Sequence, residues 1–462
     1  MKMNRPEVIL IREGTSIIEL AGLYGDDFLI ELISGGLCNK KSFVFVGFYY
    51  ITSRHTTIVG YPKYLSNRTN EEIISHVDLI CQVISTKKDF FDKSLYSDDY
   101  MFRAEMIQSD YKRVDLYSIA NYLINDYIEN GLYCRSVKRT GNEIDSVDWD
   151  KTIEEIQPFI DGNNIIYPDV ISTQTAPDNN NIVASVQGSV LIQCFNLLGS
   201  IGICSGIELP DSFKIIDNDV ICTYVPFLKS VLTYTYNARD ISLIKALIAW
   251  ISKTINYEYR YGSTSFNIVW EICIKDVFEN IVDTHSREPI YNIKNTQYVG
   301  IGESQPDALR AFWYNGTKCI NIFDAKYYYP TLLEGKIIHA PANSDIIKQL
   351  SYHNYISSIC NEDVRISNAF MIPEFTGFEE KGYLFRYSGY AKPDFTINPE
   401  IQDILKLDLK DNQTDFVLIY EINPEMLYRY CINRKSASKE DCYSFINMQE
   451  TIQKEISGCK EV

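Results

Sequence analysis

The stretch PDALRAFWYNGTKCINIFDAKYYYP, residues 306 to 330, decides how this chain is interpreted. It opens with a Pro-Asp step at Asp307 and continues through an apolar run that ends in CINIF. A buried strand would normally go on in apolar residues, yet Asp324, Ala325 and Lys326 follow at once. Because side chains alternate along a strand, Asp324 and Lys326 should share one face.

Two carboxylates and a lysine in this order are typical of a metal-dependent phosphodiester site. Magnesium prefers oxygen ligands, usually one or two carboxylates completed by water and phosphate oxygens. Asp307 and Asp324 can supply them from adjacent strands, and Lys326 can orient or deprotonate an attacking water and offset charge on the phosphate. On the motif alone, an edge strand with an incidental ion pair explains the pattern equally well.

The same pattern occurs a second time, at Asp394 and at Asp408-Leu409-Lys410. Here the surrounding segment PEIQDILKLDLKDN, residues 399–412, predicts an amphipathic helix, and no clean strand precedes Asp408. We therefore expect the second match to be a solvated charged face of a helix.

Residues on both sides of the first match favour a site. Glu271 lies upstream on a predicted helix, where a third acid often joins sites of this type. Downstream, Lys348, Gln349 and Tyr352 fall on one predicted helix, and Gln349 and Tyr352 share a face because they are three residues apart. Singly, Glu271 is better explained as a solvated helix acid and Tyr352 as a core residue, but their joint order points to a site.

The composition limits the classes of protein. The chain has 462 residues, of which 45% are hydrophobic and 23% charged, as in an ordinary globular protein of two or three domains. Its net charge of −17 argues against holding nucleic acid by an overall positive field, so work on DNA should be local, metal-assisted or shared with a partner. Twelve cysteines without a CxxC pair and five scattered histidines argue against a zinc ribbon or a histidine-metal nuclease.

Targeting and nucleotide motifs are also missing from the sequence. No run approaches the roughly 18 apolar residues of a membrane span, and the start lacks the features of a secretory signal. We therefore expect a cytoplasmic protein with no membrane contact. Without a GxxxxGK[ST] or GxGxxG loop, the chain should bind no nucleotide itself.

Apolar periodicity predicts an α/β fold, α+β overall. We expect a mixed amino-terminal part over 1–165, a mostly helical middle segment over 166–255, and a region over 256–462 that combines strands and helices. The predicted elements are a strand pair in 41–65, helices in 69–91, 115–133, 139–160 (after a turn), 240–254 and 267–283, and apolar strands at 319–323, 369–373 and 416–422. Lys63 and Arg54 are candidates for phosphate or partner contacts, although ordinary solvated surface is the better expectation for both.

Taken together, the motifs WEICIKDVF, QPDAL, IFDAKYY and DIIKQLSYHNY resemble the LlaJI family of restriction endonucleases. This family is related to the McrC nuclease subunit and to the PD-(D/E)xK nuclease superfamily. The stretches FVGFYYITSRHTTIVGYPKYL, NYLINDYIENGLY and NEIDSVDWDKTIEEIQPFI extend the similarity into the amino-terminal half. The similarity spans most of the chain and thins between about 185 and 240 and after 375.

The resemblance implies a type II-like, site-specific endonuclease that cuts double-stranded DNA with Mg²⁺ in a restriction-modification system. It implies a McrB-like AAA+ GTPase as partner. Asp307, Asp324 and Lys326 carry over as the catalytic set, with the two aspartates and Glu271 as metal ligands and Gln349 as a supporting contact.

Further assignments follow from the same resemblance. Lys348 and Tyr352 are additional site candidates, although related nucleases show Q-x-x-x-Y and Tyr352 stands one residue closer to the glutamine. The segment 256–462 becomes a PD-(D/E)xK domain with a central mixed sheet flanked by helices, and 1–165 a partner-docking or DNA-contacting domain. Two other functions stay open: a non-catalytic adaptor that stimulates an AAA+ motor, and a repair or junction-resolving nuclease of the same fold.

Overall fold

A computed structural model of the chain describes most but not all of its residues. The described ranges are 6–65, 68–87, 116–133, 136–141, 147–162, 164–177, 181–198, 216–254, 259–280, 290–293, 296–299, 305–360, 363–374, 382–393 and 415–458. The predicted helix over 399–412 and its Asp408 lie outside the described residues.

The described residues form both strands and helices, which confirms the predicted α/β class. The strands are β1 (Glu7–Arg12), β2 (Val46–Ile51), β3 (Thr56–Tyr61), β4 (Ser136–Gly141), β5 (Phe159–Asp161), β6 (Asn164–Ile166), β7 (Ser172–Pro177), β8 (Tyr259–Ser263), β9 (Ile290–Ile293), β10 (Thr296–Val299), β11 (Ala308–Tyr314), β12 (Thr317–Ala325), β13 (Thr331–Leu333), β14 (Lys336–Ile338), β15 (Val364–Pro373), β16 (Phe385–Ala391) and β17 (Val417–Ile422). The helices are α1 (Ile17–Tyr24), α2 (Asp26–Ser34), α3 (Asn70–Thr86), α4 (Leu116–Asn130), α5 (Trp149–Glu155), α6 (Ile182–Leu198), α7 (Asn218–Ile221), α8 (Val225–Thr233), α9 (Ala238–Lys253), α10 (Phe266–Phe278), α11 (Asn343–Ile359), α12 (Pro424–Ile432) and α13 (Lys439–Gly458). No described helix is both long enough and apolar enough to cross a membrane.

A five-stranded mixed sheet forms the core of the carboxy-terminal region, as predicted. Its strand order is β11-β12-β15-β17-β16. β12, β15 and β17 run parallel, and β11 and β16 pair antiparallel at the two edges. β1, β3, β2 and β8 form a four-stranded sheet in that order.

Helices cover both faces of the five-stranded sheet. On one face, Ile346 of α11 packs against Phe370, Ile372 and Val417 of the parallel strands. On the other face, the ring of Phe323 lies 5.3 Å from that of Phe278 in α10 and 5.1 Å from that of Phe445 in α13. β12 is therefore covered on both faces, and its residues from Asn321 to Asp324 are buried. A charged residue at this end, such as Asp324, must have a partner that compensates it.

Local sequence explains where several predicted elements begin. Thr69 caps α3 through a capping box with Glu72, and the helix starts where the sequence predicts. The predicted strand pair in 41–65 is present as β2 and β3.

One expectation is wrong: residues 139–141 belong to β4, which pairs with β7, instead of forming the turn before α5. The partner strand, more than 30 residues away in sequence, overrides the local turn signal.

The described residues divide into two compact units. One comprises Met1–Ile9, Phe48–Ile58 and Arg103–Tyr261, and the other Leu10–Gly47, Val59–Phe102 and Gly262–Val462. The latter unit contains the five-stranded sheet. The division of the sequence at 165 and 255 stays a prediction.

The first of these units has its own helical core. The guanidinium of Arg239 donates to both carboxylate oxygens of the buried Asp126, each at 2.9 Å. Trp250 Nε1 donates to Gln193 Oε1 at 2.7 Å, so a buried indole N–H and a buried amide oxygen satisfy each other. These bonds tie α9 to α4 and α6.

The close approach at Gly60 in β3 gives a stability prediction. A Cβ added there would stand 2.2 Å from the carbonyl oxygen of Phe45. We expect Gly60→Ala to lower the free energy of unfolding by roughly 1–3 kcal/mol, because the backbone must shift to relieve the contact. Urea unfolding followed by circular dichroism measures the change.

Gly22→Ala is the matched control. Gly22 lies in helix α1, and a Cβ there would meet no heavy atom within 4 Å. Alanine should stabilise this position by up to about 1 kcal/mol, because it restricts the unfolded chain. Equal losses of stability in the two variants would contradict the close packing at Gly60.

Candidate active site

The two predicted aspartates lie opposite each other at the ends of neighbouring strands. β11 and β12 pair antiparallel with Ala308 opposite Phe323, so Asp307 and Asp324 stand next to each other across the pair. The backbone N–H of Ala325 donates to Asp307 Oδ2 at 2.7 Å, which fixes that carboxylate against β12. Asp324 is only 2% exposed, at the carboxyl end of the buried strand.

Lys326 returns to the face of Asp324, as strand alternation predicts. Its Nζ lies 2.8 Å from Asp324 Oδ2 and 3.2 Å from Asp345 Oδ1. Its backbone N–H donates to the carbonyl of Met371 in β15 at 3.0 Å, so the chain position of the lysine is also fixed. Desolvation works against the charged amine, but the hydrogen bond and charge of Asp324, together with Asp345, raise the pKa of Lys326. The amine is therefore a lasting positive charge at neutral pH.

Asp345 is the residue of the site to which the sequence assigned no role. It lies in the first turn of α11, where its Oδ2 accepts the backbone N–H of Ala342 at 2.9 Å and its Oδ1 faces Lys326. In a strand-helix-strand unit, the helix begins near the carboxyl end of the preceding strand. An acid in the first turn after β12 was therefore an available signal for a neighbour of Asp324.

Burial and neighbouring acids raise the pKa of Asp307 and of Glu271. Burial raises the pKa of Asp307 to about 7, and the negative charges of Asp324 and Glu271 add to the rise. Desolvation also raises the pKa of Glu271, with a further contribution from Asp324 and opposition from Lys275. The charge of Lys326 works against the rise at both carboxylates.

Glu271 lies on α10 and interacts electrostatically with the two aspartates. Its neighbour Trp270 is fully buried and donates its indole N–H to the carbonyl of Met371 at 3.2 Å, which anchors the helix on the sheet. The Glu271 side chain itself is exposed. The structure therefore brings a third acid within electrostatic reach of Asp307 and Asp324, from the helix on which the sequence placed it.

Of the three candidates on α11, Gln349 and Tyr352 are buried and Lys348 is exposed. Gln349 is 1% exposed, and its Nε2 donates to the carbonyl of Ile322 in β12 at 3.5 Å. Tyr352 belongs to an apolar cluster with Ile322, and its hydroxyl donates to the carbonyl of Gln305 at 2.9 Å. The Lys348 amine lies 5.6 Å from the Tyr352 ring centre. The contacts of Gln349 and Tyr352 hold the backbone near Asp324 and Asp307. A role of the three residues in catalysis stays a prediction.

The donor set suits a magnesium ion bound by few protein ligands. Within the described ranges, no group of three or more His, Cys, Asp or Glu side chains is arranged to hold a metal ion. Asp307 and Asp324 supply two hard carboxylates, and Mg²⁺ commonly binds one or two, with waters and phosphate oxygens completing its shell. Burial, with the charges of Asp324 and Glu271, raises the pKa of Asp307 to about 7, and a divalent cation beside the carboxylate would favour its charged form.

Lys63 differs from the solvated surface residue that the sequence predicted. It is half-buried, and its amine lies 4.2 Å from the ring centre of Tyr327, the residue after Lys326. The hydroxyl of Tyr327 donates to Glu13 Oε2 at 2.5 Å. The prediction for Lys63 was wrong because its ring partner is 264 residues away in sequence, beyond any local pattern. Arg54 is exposed, as predicted.

Known proteins with a similar sequence are restriction enzymes or their components. A model of the LlaJI restriction endonuclease family matches residues 45–411. The chain is 27% identical over 473 residues to the Type II restriction enzyme BsuMI component YdjA of Bacillus subtilis (strain 168), covering 96% of this chain and 91% of that protein.

Two solved structures from Thermococcus gammatolerans show weaker similarity. One is a half-complex of a tetradecameric assembly of McrB AAA+ hexamers with bound McrC, with 11% identity, a TM-score of 0.32, and coverage of 92% of this chain and 99% of that chain. The other is the McrBC complex, with 12% identity, a TM-score of 0.22, and coverage of 54% and 87%. TM-scores this low carry no argument about function. The family match, in contrast, extends over most of the sequence and contains Asp307, Asp324 and Lys326, and the chain belongs to the LlaJI restriction endonuclease family.

Proposed function

We propose that this chain is the nuclease subunit of a restriction system and hydrolyses phosphodiester bonds of double-stranded DNA with Mg²⁺. The observation that carries the proposal is the pair Asp307 and Asp324 on neighbouring strands, with Lys326 2.8 Å from the buried acid. Membership of a restriction endonuclease family supports the reaction class. The same arrangement is the basis for proposing a PD-(D/E)xK type of site.

The chain's own residues have separable roles in this proposal. Asp307 and Asp324 would hold Mg²⁺, which when bound supplies an activated water and charge neutralisation at the leaving oxygen. Because its pKa is raised, Lys326 acts as a cation that donates to a phosphate oxygen or orients water, instead of removing a proton. Asp345 holds the amine in place from the helix side.

The proposal includes a McrB-like AAA+ GTPase as partner. The curated relative is named as a component of a restriction enzyme, which suggests that its activity requires further subunits. This chain has no P-loop motif in its sequence and a net charge of −17, so it is poorly equipped to drive nucleotide-dependent movement or to hold DNA by long-range attraction. A separate subunit would supply both.

Substitution of the central pair tests the nuclease. We expect Asp324→Asn and Lys326→Gln each to lower the rate of Mg²⁺-dependent cleavage by about 10²-fold or more, because each removes charge at the reacting phosphate. Cleavage of long unmethylated duplex DNA is measured with and without a McrB-like subunit and GTP.

Three other results would each contradict a different part of the proposal. Cleavage that survives both substitutions would remove the site assignment. A complex with the AAA+ subunit that stimulates its GTP hydrolysis without any cleavage would favour the adaptor function. Cutting restricted to branched substrates would favour a repair or junction-resolving nuclease.

Asp345→Asn tests whether the acid positions Lys326. The amide oxygen can still accept the backbone N–H of Ala342, but the charge facing the lysine is lost. We expect cleavage to fall roughly tenfold, since a hydrogen bond to a charged group contributes about 1.5–3 kcal/mol and 1.36 kcal/mol corresponds to a tenfold change. Single-turnover kinetics measure the loss.

Asp441→Asn is the matched control. Asp441 is also a half-buried acid in the first turn of a helix, α13, where it accepts the backbone N–H of Ser438 at 3.0 Å. This variant should keep the parent rate, and the unfolding midpoints of both variants should be alike. Similar rate losses in the two would show that helix capping, not the contact with Lys326, matters.

The raised pKa of Asp307 predicts pH-dependent metal binding. Only the deprotonated carboxylate is a ligand, so Mn²⁺ affinity should fall as the pH drops below about 7, where Asp307 binds its proton. Glu271→Gln removes a negative charge that raises this pKa, so the midpoint should move to lower pH. Titration calorimetry at several pH values measures both, and affinity that stays constant from pH 8 to pH 6 would contradict the prediction.

A further inference from the structure

A cleft lies beside the candidate site, within the same compact unit. Its volume is about 870 Å³, inside the range of roughly 300–1,000 Å³ common for ligand clefts. Its walls come from three segments, within 10–24, 61–63 and 328–339. Nothing in the nuclease site described above accounts for it.

Tyr328 connects the cleft to the carboxylates. It lines the cleft, and its N–H donates to the carbonyl of Lys326 at 2.9 Å. Desolvation raises the pKa of Tyr328, and the charges of Asp345 and Asp324 contribute to the rise. The phenol is therefore close to both the cleft and the acids of the candidate site.

Two cations, Arg12 and Lys63, lie on the wall of the cleft, and the charge of Glu13 acts on both. Arg12 Nε donates to the carbonyl of Lys63 at 3.1 Å, and its guanidinium lies 5.7 Å from the Tyr329 ring centre. The amine of Lys63 lies over the ring of Tyr327. Burial lowers the pKa of Lys63, Glu13 opposes this, and the positive charge of Arg12 adds to the lowering. A phosphate beside the two cations would add to the compensation that Glu13 provides.

The walls suit a nucleic-acid strand better than a free anion. The rings of Tyr61, Tyr328 and Tyr329 line the cleft beside the cations, and strand-binding grooves combine positive charge with aromatic faces for bases. Glu13 and Glu19 also line it, so the cleft is not strongly basic. That balance fits contact with one or two phosphates of a strand already held nearby.

We propose that this cleft binds the DNA strand beside the phosphate that reaches Asp324 and Lys326. Arg12 and Lys63 contact a backbone phosphate, and Tyr329 contacts a base. The proposal rests on the proposed nuclease function, because it places the flanking strand of that substrate.

Salt-dependent binding tests the phosphate contacts. The full-length chain is titrated into a fluorescent 30-base-pair duplex in EDTA at several salt concentrations. Lys63→Gln and Arg12→Gln should each weaken binding and lower the slope of log affinity against log salt by about 1. Lys318→Gln is the matched control. Lys318 is also half-buried, its amine lies 5.3 Å from the ring centre of Trp313, and it stands at the opposite end of β12. This variant should keep the parent slope.

Photo-crosslinking gives a second readout of position. Duplex DNA carrying 5-iodouracil is irradiated with the parent chain, and the peptides are identified by mass spectrometry. We expect crosslinks in the peptide that contains Tyr328 and Tyr329, and their loss in Lys63→Gln. Thermal unfolding of each variant confirms that it is folded.

The outcomes separate this inference from the nuclease proposal. Unchanged slopes, crosslinks confined to other segments, or no DNA binding by the parent at low salt would overturn the cleft as a strand site, whatever the cleavage assay shows. Cleavage that depends on Asp324 but not on the cleft variants would keep the nuclease and remove the cleft. Slope changes without any cleavage would keep the cleft as a DNA site and remove the nuclease.

Discussion

The register between β11 and β12 is the constraint on which the candidate site depends. Tyr314 pairs with Thr317, so the connection is the two-residue turn Asn315-Gly316, with φ of 48° and 80°. Positive φ at both positions is the geometry of a type I′ turn, which Asn-Gly adopts most readily. Seven residue pairs beyond the turn, this register brings Asp307 beside Asp324. A slip of one residue would turn one strand's side chains to the opposite face and separate the acids.

The electrostatics of the site follow from that placement. Asp324 is buried, and a buried carboxylate without compensation would be costly, so the ion pair with Lys326 is a condition of the fold as well as a feature of the site. The lysine is shared with Asp345, while the backbone N–H of Ala325 compensates Asp307 and the charge of Lys275 acts on Glu271. Under the proposed function, Asp307 and Asp324 would hold the cation at this end of β12.

The sequence predicted those features that depend on local periodicity. Apolar runs located the parallel strands, and alternation placed Asp324 and Lys326 on one face. It failed where contacts join distant segments: Lys63 became half-buried because of Tyr327, and residues 139–141 became a strand because of β7. Asp345 and the Asn-Gly turn stand between these cases, because their signals were present in the sequence but gain meaning only once the strand order is known.

Under the proposed function, the acidic character of the chain and its work on DNA are compatible only if attraction is local. A net charge of −17 repels the phosphate backbone over distances that salt does not screen, and the Debye length near physiological ionic strength is about 8 Å. Arg12, Lys63 and Lys326 can act only on phosphates that are already within that distance. Raising the salt would screen the repulsion of the whole chain while it weakens these contacts, so the two effects oppose each other. A subunit that brings DNA to the site would remove the need for long-range attraction, and the charge of this chain would then suppress cutting of DNA that has not been delivered.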